Sequence, residues 1–439
     1  MSSNNRSSFQ IKPGGAITGR ITVPGDKSIS HRALMLGAIA EGETTIQGFL
    51  QGEDTLATAK AFQQMGVEIE NDGNLVRVKG VGLQGLHAHN KALDLGNSGT
   101  SVRLLAGLLS GQSFDSELIG DKSLMTRPML RIIEPLRTMN ADISCSDNGT
   151  LPITITGGHQ LEGIHYELPV ASAQLKSCLL LAGLYAEGTT TIIEKEATRD
   201  HTERMLATFS HPLNKSANKI SCNKADRLIG TDVIIPADFS SAAFFIVAAT
   251  LAPGSDVVLE NVGVNPTRNS MLKIMQLMGA DIELLNERQQ SGEPMADIHI
   301  KSSQLHGIAI PEELVSIAID EFPVVLIAAA GARGETRLTG AAELRVKESD
   351  RIQSMLDGFI ATGIQAEATD DGMIIEGGAF KGGIIHSHGD HRIAMAFAVA
   401  GMFSNEAILI NDCENVATSF PGFVELAQQA GMDIDILKS

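Results

Sequence analysis

The hydrophobic and polar positions of this chain follow a pattern that repeats six times. Each copy begins at a short turn of small or charged residues, continues as an Ala/Leu/Val-rich helix of about three turns, and ends in Gly-x-Thr-like residues that open a strand. The copies have their anchor residues 66 to 82 positions apart, at Asp26, Asn97, Ser172, Asp238, Asp320 and Asp390. Repeats of this length predict one structural unit per copy.

Most copies continue with a second helix, which is amphipathic, and then with a β-rich segment such as NLVRVKG or LPITITG. The unit is therefore approximately βαβαββ. The third copy departs from the pattern after its second helix, and we predict an irregular or mobile stretch at residues 210–230.

The first helix of each copy is apolar nearly all round, which predicts that it lies inside a domain, whereas the charged face of the second helix places that helix outside. A chain of 439 residues exceeds the size of a single hydrophobic core. We predict two domains of three copies each: residues 1–24 with 241–439, and residues 25–240.

Composition narrows the possible functions. Hydrophobic residues make up 43% and charged residues 20%, as in globular proteins. A net charge of -18 and the absence of Trp argue against nucleic acid as a partner. The four cysteines show no C-x-x-C pair, the N-terminus lacks a signal-peptide core, and no apolar run reaches the length of a membrane span. We expect a cytoplasmic protein.

Candidate binding residues occur at the turns before the inner helices, where free backbone N–H groups favour anions. In the first half these are Lys27, Ser28 and Arg32 in GDKSISHR; Asn97, Gly99, Thr100 and Arg103 in GNSGTSVR; Lys122 and Arg127 in GDKSLMTRPM; and Ser172 and Gln174 in ASAQLKS. For each segment taken alone, helix capping and solvated charges explain these residues about as well as anion binding does.

In the second half, Asp320 and Glu321 precede an apolar helix, where a carboxylate is either a cap or a base. LRVKESDRI carries Arg345, Lys347, Glu348 and Arg351, which could also form an ordinary charged helix face. HGDHRIAM adds Asp390, His391 and Arg392, and His391 could be purely structural. Basic residues that recur at corresponding places in a hydrophobic repeat nevertheless favour a site for anions.

Six segments, DKSISHR, GNSGTSVR, GDKSLMTRPM, ASAQLKS, ESDRI and GDHRIAM, resemble the signature segments of the 5-enolpyruvylshikimate-3-phosphate synthases, within the enolpyruvyl transferase family. The resemblance runs from about Val23 to Phe420, in the same order. It implies an α/β fold of six βαβαββ units in two similar domains, with the active site in the cleft between them. It also implies transfer of the enolpyruvyl group of phosphoenolpyruvate to the 5-hydroxyl of shikimate 3-phosphate, in the shikimate pathway of aromatic amino-acid biosynthesis, without metal or cofactor.

The resemblance also assigns residues. Shikimate 3-phosphate would be bound by Lys27, Ser28, Arg32, Ser172, Ala173, Gln174, Arg199, Asp320 and Lys347. Phosphoenolpyruvate would be bound by Lys27, Gly99, Arg127, Gln174, Arg351 and Arg392. Asp320 would accept the proton of the attacking hydroxyl, and Lys27 with Glu348 would manage protonation of the phosphoenolpyruvate methylene. Small-molecule substrates are then the expected partners, with no nucleic acid and no membrane, and we expect a monomer.

Departures from one branch of the family favour its second bacterial class. This chain has Ala173 in place of a serine, Leu104 in place of a proline, and Thr418 in place of a lysine that contacts ligand in that branch. Gly99, which is alanine in some members of the second class, leaves the response to the inhibitor glyphosate open.

Three alternatives remain from the sequence. UDP-N-acetylglucosamine enolpyruvyl transferase shares the fold and the donor but uses a cysteine in the loop that corresponds to residues 119–128, where this chain has none. RNA-terminal cyclases share related units but should show a basic surface. A non-catalytic binding protein would not need Asp320 as a base.

Overall fold

The computed structural model describes residues 7–73, 75–89 and 91–438, which form two compact units. Of these residues, unit 1 contains 7–24, 236–288 and 294–438, and unit 2 contains 25–235 and 289–293. The boundary predicted from the sequence, between residues 240 and 241, falls inside a helix that belongs to unit 1. The division in the structure lies at 235 and 236, before that helix begins.

Unit 1 has three sheets and six helices among the described residues. Its strands are β1 (Ser7–Ile11), β2 (Thr18–Ile21), β15 (Asp256–Gly263), β16 (Asp281–Gln290), β17 (Glu293–Lys301), β18 (Glu335–Leu338), β19 (Gln365–Ala368), β20 (Met373–Glu376), β21 (Gly383–His386), β22 (Ile408–Asn411) and β23 (Ile434–Lys438). Its helices are α7 (Phe239–Leu251), α8 (Ser270–Leu277), α9 (Phe322–Ala330), α10 (Arg351–Ala361), α11 (His391–Gly401) and α12 (Phe423–Ala430). The sheet orders are β21-β22-β1-β23, β16-β17-β15-β2 and β18-β20-β19.

Unit 2 also has three sheets and six helices in its described part. Its strands are β3 (Glu41–Gln47), β4 (Glu68–Asn71), β5 (Leu75–Val81), β6 (Leu93–Asp94), β7 (Ser116–Ile119), β8 (Asp142–Cys145), β9 (Ile153–Thr156), β10 (His165–Glu167), β11 (Thr189–Ile193), β12 (Asn214–Ser216), β13 (Lys219–Asn223) and β14 (Asp232–Ile234). Its helices are α1 (Lys27–Ala38), α2 (Glu53–Gln64), α3 (Gly99–Leu109), α4 (Leu130–Thr138), α5 (Ala173–Gly183) and α6 (His201–Thr208). The sheet orders are β14-β3-β5-β4, β6-β7-β9-β8 and β10-β11-β13-β12.

The apolar helices lie at the centre of each unit, as the pattern predicted. In unit 1, helices α7, α9 and α11 contact one another, and nearly all of their residues are buried. In unit 2, α3 packs against α1 and α5. A helix that is hydrophobic all round can bury its whole apolar surface only at the centre of a domain, where the sheets and the amphipathic helices cover it. Each unit consequently has its own hydrophobic core.

Strands from other parts of the chain complete the first, fourth and sixth copies. Around α3, α5 and α11, the strand before the helix pairs in parallel with the strand after it. The strand before α1 is β2, but it pairs with β15, while β14, which precedes α7, pairs with β3. The strand that completes the sixth copy is β1, from the start of the chain, between β22 and β23.

The prediction of an irregular or mobile stretch at 210–230 was wrong. Strands β12 and β13 form an antiparallel hairpin there, and β13 pairs with β11 from Thr189 opposite Asn223 to Ile193 opposite Lys219. Ile220 and Cys222 are buried on one face of β13, so this short strand alternates as a half-buried strand should. The departure of the third copy from the repeat pattern therefore concealed an ordinary pair of strands.

Within the described ranges, no helix combines the length and the apolar character that crossing a bilayer requires.

Candidate active site

The helix starts of unit 2 carry the predicted residues of the first half. Asp26 caps α1 by accepting a hydrogen bond from the Ile29 amide at 2.8 Å. Ser98 and Ser172 cap α3 and α5 in the same way, through the amides of Ser101 and Leu175. Capping therefore accounts for Ser172, and Lys27, Gly99 and Ala173 become the first residues of their helices.

Five side chains meet near the starts of α3 and α5. The Arg103 guanidinium donates to Gln174 Oε1 at 2.6 Å, and Gln174 Nε2 donates to Thr100 Oγ1 at 3.1 Å. Arg127 Nη2 donates to Asn97 Oδ1 at 2.7 Å. The loop before α4 thus brings a second cation to this place, whereas Lys122 in the same loop is exposed.

Gly99 lies against both arginines of this group. A Cβ atom built on Gly99 would be 2.9 Å from Arg103 Nη1 and 3.2 Å from Arg127 Nη1. Both distances are too short for an undisturbed contact, so the absence of a side chain at Gly99 leaves the space that the two guanidinium groups occupy.

Arg32 is buried in a polar pocket formed by three helices. It donates to Thr202 Oγ1 and Ser177 Oγ, both at 2.7 Å, and to the Ser28 carbonyl at 2.9 Å. Burial is the main cause that lowers the pKa of Arg32 to about 10, and the charge of Arg199 lowers it further. The structure therefore places Arg199 close enough to Arg32 for the two charges to interact.

Lys176, which precedes Ser177 on α5, is a buried cation that we did not single out from the sequence. Its fully buried ammonium contacts Glu194 at 2.9 Å and Glu203 at 2.7 Å, and it donates to the Thr198 carbonyl at 3.3 Å. It thereby ties the segment before Arg199 to α5. The only sequence signal for this residue was weak: a lysine in an apolar helix, as in LKS, must have an acidic partner if it is buried.

Lys27 has an acidic partner that the sequence reasoning missed. Its ammonium lies 2.5 Å from Asp54 Oδ2, in the first turn of α2. The Asp54 side chain is 8% exposed and that of Lys27 is 25% exposed, so the cation remains accessible while its counter-charge is buried. The sequence indicated Asp54 only as an acidic residue in the first turn of a helix, and acidic residues are favoured there in any helix, so the pattern did not point to Lys27.

In unit 1, the predicted residues of the second half come together around Asp320. Its Oδ1 atom lies 3.3 Å from Lys347 Nζ and 3.6 Å from Arg351 Nη1. Arg351 is buried and also contacts Glu348 Oε2 at 2.7 Å and Asp390 Oδ2 at 2.8 Å. Asp320 and its two cations are thus linked through Arg351 to two further carboxylates.

Asp390 and Arg351 form the buried electrostatic centre of this group. Asp390 caps α11 by accepting from the Arg392 amide at 2.9 Å. Burial by itself would raise the pKa of Asp390, but the adjacent Arg351 guanidinium outweighs burial and lowers it. Burial by itself would lower the pKa of Arg351, but the charges of Asp390 and Glu348 outweigh burial and raise it. His391 starts α11 and adds positive charge near Asp390 when protonated.

Arg392 is held from two sides. Its Nη1 donates to the Asp320 carbonyl at 2.8 Å and its Nη2 donates to Ser240 Oγ at 3.0 Å. Arg345, by contrast, pairs with Asp350 at 2.8 Å and with the Asp370 carbonyl, which makes it a structural residue of the turn before α10.

Comparison with known proteins identifies the family. Residues 11–426 match the family profile described as EPSP synthase (3-phosphoshikimate 1-carboxyvinyltransferase). The chain belongs to the EPSP synthase family. It is 58% identical over 430 residues to the 3-phosphoshikimate 1-carboxyvinyltransferase of Methylococcus capsulatus, with 98% of each chain covered, and 59% identical over 426 residues to that of Alkalilimnicola ehrlichii, with 97% and 96% covered.

Solved structures agree. A 2.37 Å structure of EPSP synthase from Acinetobacter baumannii has a TM-score of 0.91 and 55% identity, covering 98% of this chain and all of that chain. The predictions of fold class and enzyme class are therefore confirmed. As an EPSP synthase family member, the chain is a transferase of the shikimate pathway, and the predicted enolpyruvyl transfer is its reaction.

Proposed function

We propose that this chain transfers the enolpyruvyl group of phosphoenolpyruvate to shikimate 3-phosphate by means of the two residue sets described above. Unit 2 contributes Lys27, Ser28, Arg32, Gly99, Arg127, Ser172, Ala173, Gln174 and Arg199, and unit 1 contributes Asp320, Lys347, Glu348, Arg351 and Arg392. Both sets include cations that suit substrates with phosphate and carboxylate groups.

The grouping around Asp320 is the observation that carries the proposal. Lys347 and Arg351 contact one oxygen of its carboxylate, at 3.3 and 3.6 Å, and fix its position. In the proposed reaction Asp320 accepts the proton of the 5-hydroxyl as that oxygen attacks C2 of phosphoenolpyruvate, and the methylene carbon gains a proton from Lys27 or Glu348. That carbon then returns a proton to the group that supplied it, which expels phosphate and restores the double bond, and the hydroxyl proton held by Asp320 leaves with the phosphate.

Asp320→Ala tests this assignment. A general base contributes about 10²–10⁴-fold, so kcat should fall by that amount while shikimate 3-phosphate still binds, measured by phosphate release and by calorimetric titration. Asp297→Asn is the matched control, because Asp297 is a buried carboxylate of the same unit, bonded to the Asn261 amide and Asn286. Turnover of Asp320→Ala near that of Asp297→Asn would remove Asp320 from the role of base.

We also propose a cytoplasmic, monomeric enzyme that binds neither nucleic acid nor membranes. All four cysteines are free thiols and Cys178, Cys222 and Cys413 are buried, which suits a reducing compartment. Light scattering at micromolar concentration tests the monomer, and a mass of twice the chain would contradict it.

A further inference from the structure

Unit 1 contains a buried carboxylate outside the proposed residue sets. Glu321 follows Asp320 directly and occupies the N-cap position of α9, yet its side chain makes no capping hydrogen bond. Its side chain is fully buried. Since burial of a charge is costly unless the charge is paired, the surroundings of Glu321 need an explanation other than helix capping.

Two guanidinium groups and one hydroxyl surround this carboxylate. Arg392 Nη1 lies 3.5 Å from Glu321 Oε1, and Arg268 Nη2 lies 3.7 Å from the same oxygen. Ser240 donates its hydroxyl hydrogen to Glu321 Oε1 at 2.5 Å. The negative charge of Glu321 therefore lies between two cations that would otherwise repel each other.

The bonds of Ser240 use the whole capacity of its hydroxyl group. A hydroxyl has one hydrogen to donate and two lone pairs to accept. The hydrogen is donated to Glu321, and the lone pairs accept from Arg268 Nη2 at 2.5 Å and from Arg392 Nη2 at 3.0 Å. Glu321 thus sets the direction of the hydroxyl hydrogen and so turns a lone pair toward Arg392.

These bonds fix Arg392 at both terminal nitrogens. One is bonded to Ser240, and the other is bonded to the Asp320 carbonyl at 2.8 Å and lies near Glu321. A free arginine loses rotamer freedom when it binds a ligand, whereas a side chain already held in place does not. Arg392 is only 14% exposed, so its remaining N–H groups point in few directions.

We propose that Glu321, acting through Ser240, is a positioning residue that holds the Arg392 guanidinium in its binding geometry for phosphoenolpyruvate. The inference rests on the proposed function, in which Arg392 binds that substrate. Glu321 does not touch the reacting atoms; it determines how much of the affinity for phosphoenolpyruvate is lost in ordering Arg392.

Glu321→Gln and Ser240→Ala test the inference by separating KM from kcat. Glu321→Gln keeps the shape and removes the charge, and a charge-assisted hydrogen bond corresponds to about ten-fold or more in affinity. We expect KM for phosphoenolpyruvate to rise about ten-fold in either variant, with KM for shikimate 3-phosphate within about two-fold of wild type and kcat within about three-fold. Asp297→Asn, the buried carboxylate control, should leave both KM values unchanged.

The double variant tests the route through Ser240. If Glu321 acts through that hydroxyl, the combined change should be no larger than the larger single change, whereas independent effects on KM would multiply. Multiplied effects, or a loss of active enzyme with both KM values unchanged, would overturn the inference. Should Glu321→Gln fail to fold, Ser240→Ala gives the same KM readout alone.

Arg392→Lys separates failure of this inference from failure of the proposed function. A raised KM for phosphoenolpyruvate in Arg392→Lys, with no change in Glu321→Gln and Ser240→Ala, overturns only the positioning role. An unchanged KM in Arg392→Lys removes Arg392 from the substrate site and overturns both.

Discussion

At the scale of single residues, a missing methyl group at Gly99 leaves space for two arginine side chains. The alternative that Gly99 is required for a positive φ does not hold, because its φ lies outside the left-handed region and it is the first residue of α3. The three atoms nearest to a Cβ at this position belong to the ends of the flexible Arg103 and Arg127 side chains, so we expect these side chains to move rather than the backbone.

Gly99→Ala should therefore change the donor site and leave the fold stable. We expect a raised KM for phosphoenolpyruvate, because Arg127 must shift, and little change in KM for shikimate 3-phosphate. Glyphosate, which is longer than phosphoenolpyruvate, should lose more affinity than the substrate does. Melting and paired inhibition assays check this: a lower Tm with unchanged selectivity between the two ligands would contradict it, since alanine is the better helix former.

His31 predicts a pH dependence of stability. It is fully buried in α1, with Nδ1 2.9 Å from Thr58 Oγ1 and 3.4 Å from Ser101 Oγ. Burial, and then the charges of Lys27 and Arg32, lower its pKa well below the ordinary value of about 6.5, against a smaller opposite effect of Asp26. The unfolded chain therefore binds this proton more readily than the native protein does.

Because the unfolded state gains the proton, the free energy of unfolding should fall as the pH drops through about 6.5. A single group contributes up to about 1.4 kcal/mol per pH unit below that value. Between pH 7 and 5.5 we expect the free energy of unfolding of the wild type to fall by about 1 kcal/mol more than that of His31→Gln, measured by urea denaturation. The exposed His165 supplies the control substitution, His165→Gln. Parallel pH profiles for wild type and His31→Gln would contradict the assignment.

At the scale of secondary-structure elements, buried ion pairs fix the segment that carries Arg199. Lys176 on α5 contacts Glu194, at the end of β11, and Glu203 on α6. All three side chains are at least nine-tenths buried, so loss of one partner leaves an uncompensated charge away from water.

Lys176→Met should destabilise unit 2 by about 3–5 kcal/mol, because two buried carboxylates lose their cation. Lys224→Met is the control: Lys224 pairs with Glu187 in the same unit, but both side chains are about half exposed, and such pairs contribute about 1 kcal/mol or less. Denaturant melts measure both. Replacing Glu194 and Glu203 by glutamine in the Lys176→Met variant should recover part of the lost free energy of unfolding. If Lys176→Met lowers that free energy no more than Lys224→Met does, Lys176 is not the centre of the ion pairs.

At the scale of the whole molecule, two separate hydrophobic cores predict two unfolding transitions. One core is made of unit 1 residues and the other of unit 2 residues. Large-to-small substitutions in a core cost about 2–5 kcal/mol. Phe397→Ala, in unit 1, and Leu179→Ala, in unit 2, should therefore each lower a different transition in calorimetry. A single transition that both substitutions shift equally would contradict separate cores.

The sequence by itself determined the repeat, the fold class and the family. Burial and periodicity act within one helix or strand, so the six apolar helices and their caps can be read locally. The signature segments are also local, because the start of each inner helix carries its functional side chains together. The assignment of those side chains to substrates stays a prediction, although the structure groups Asp320, Lys347 and Arg351 within contact distance.

Only the tertiary structure decided which distant segments pair. Periodicity gives the buried face of a strand but not its partner. Local patterns therefore could not predict that β2 and β14 exchange sheets, that β1 lies beside β22, or that β12 and β13 form a hairpin. The same holds for buried charges. A lysine or glutamate in an apolar pattern must have a partner, but packing selects that partner from residues far away in the chain, as Lys27 with Asp54 and Glu321 with Arg268 show.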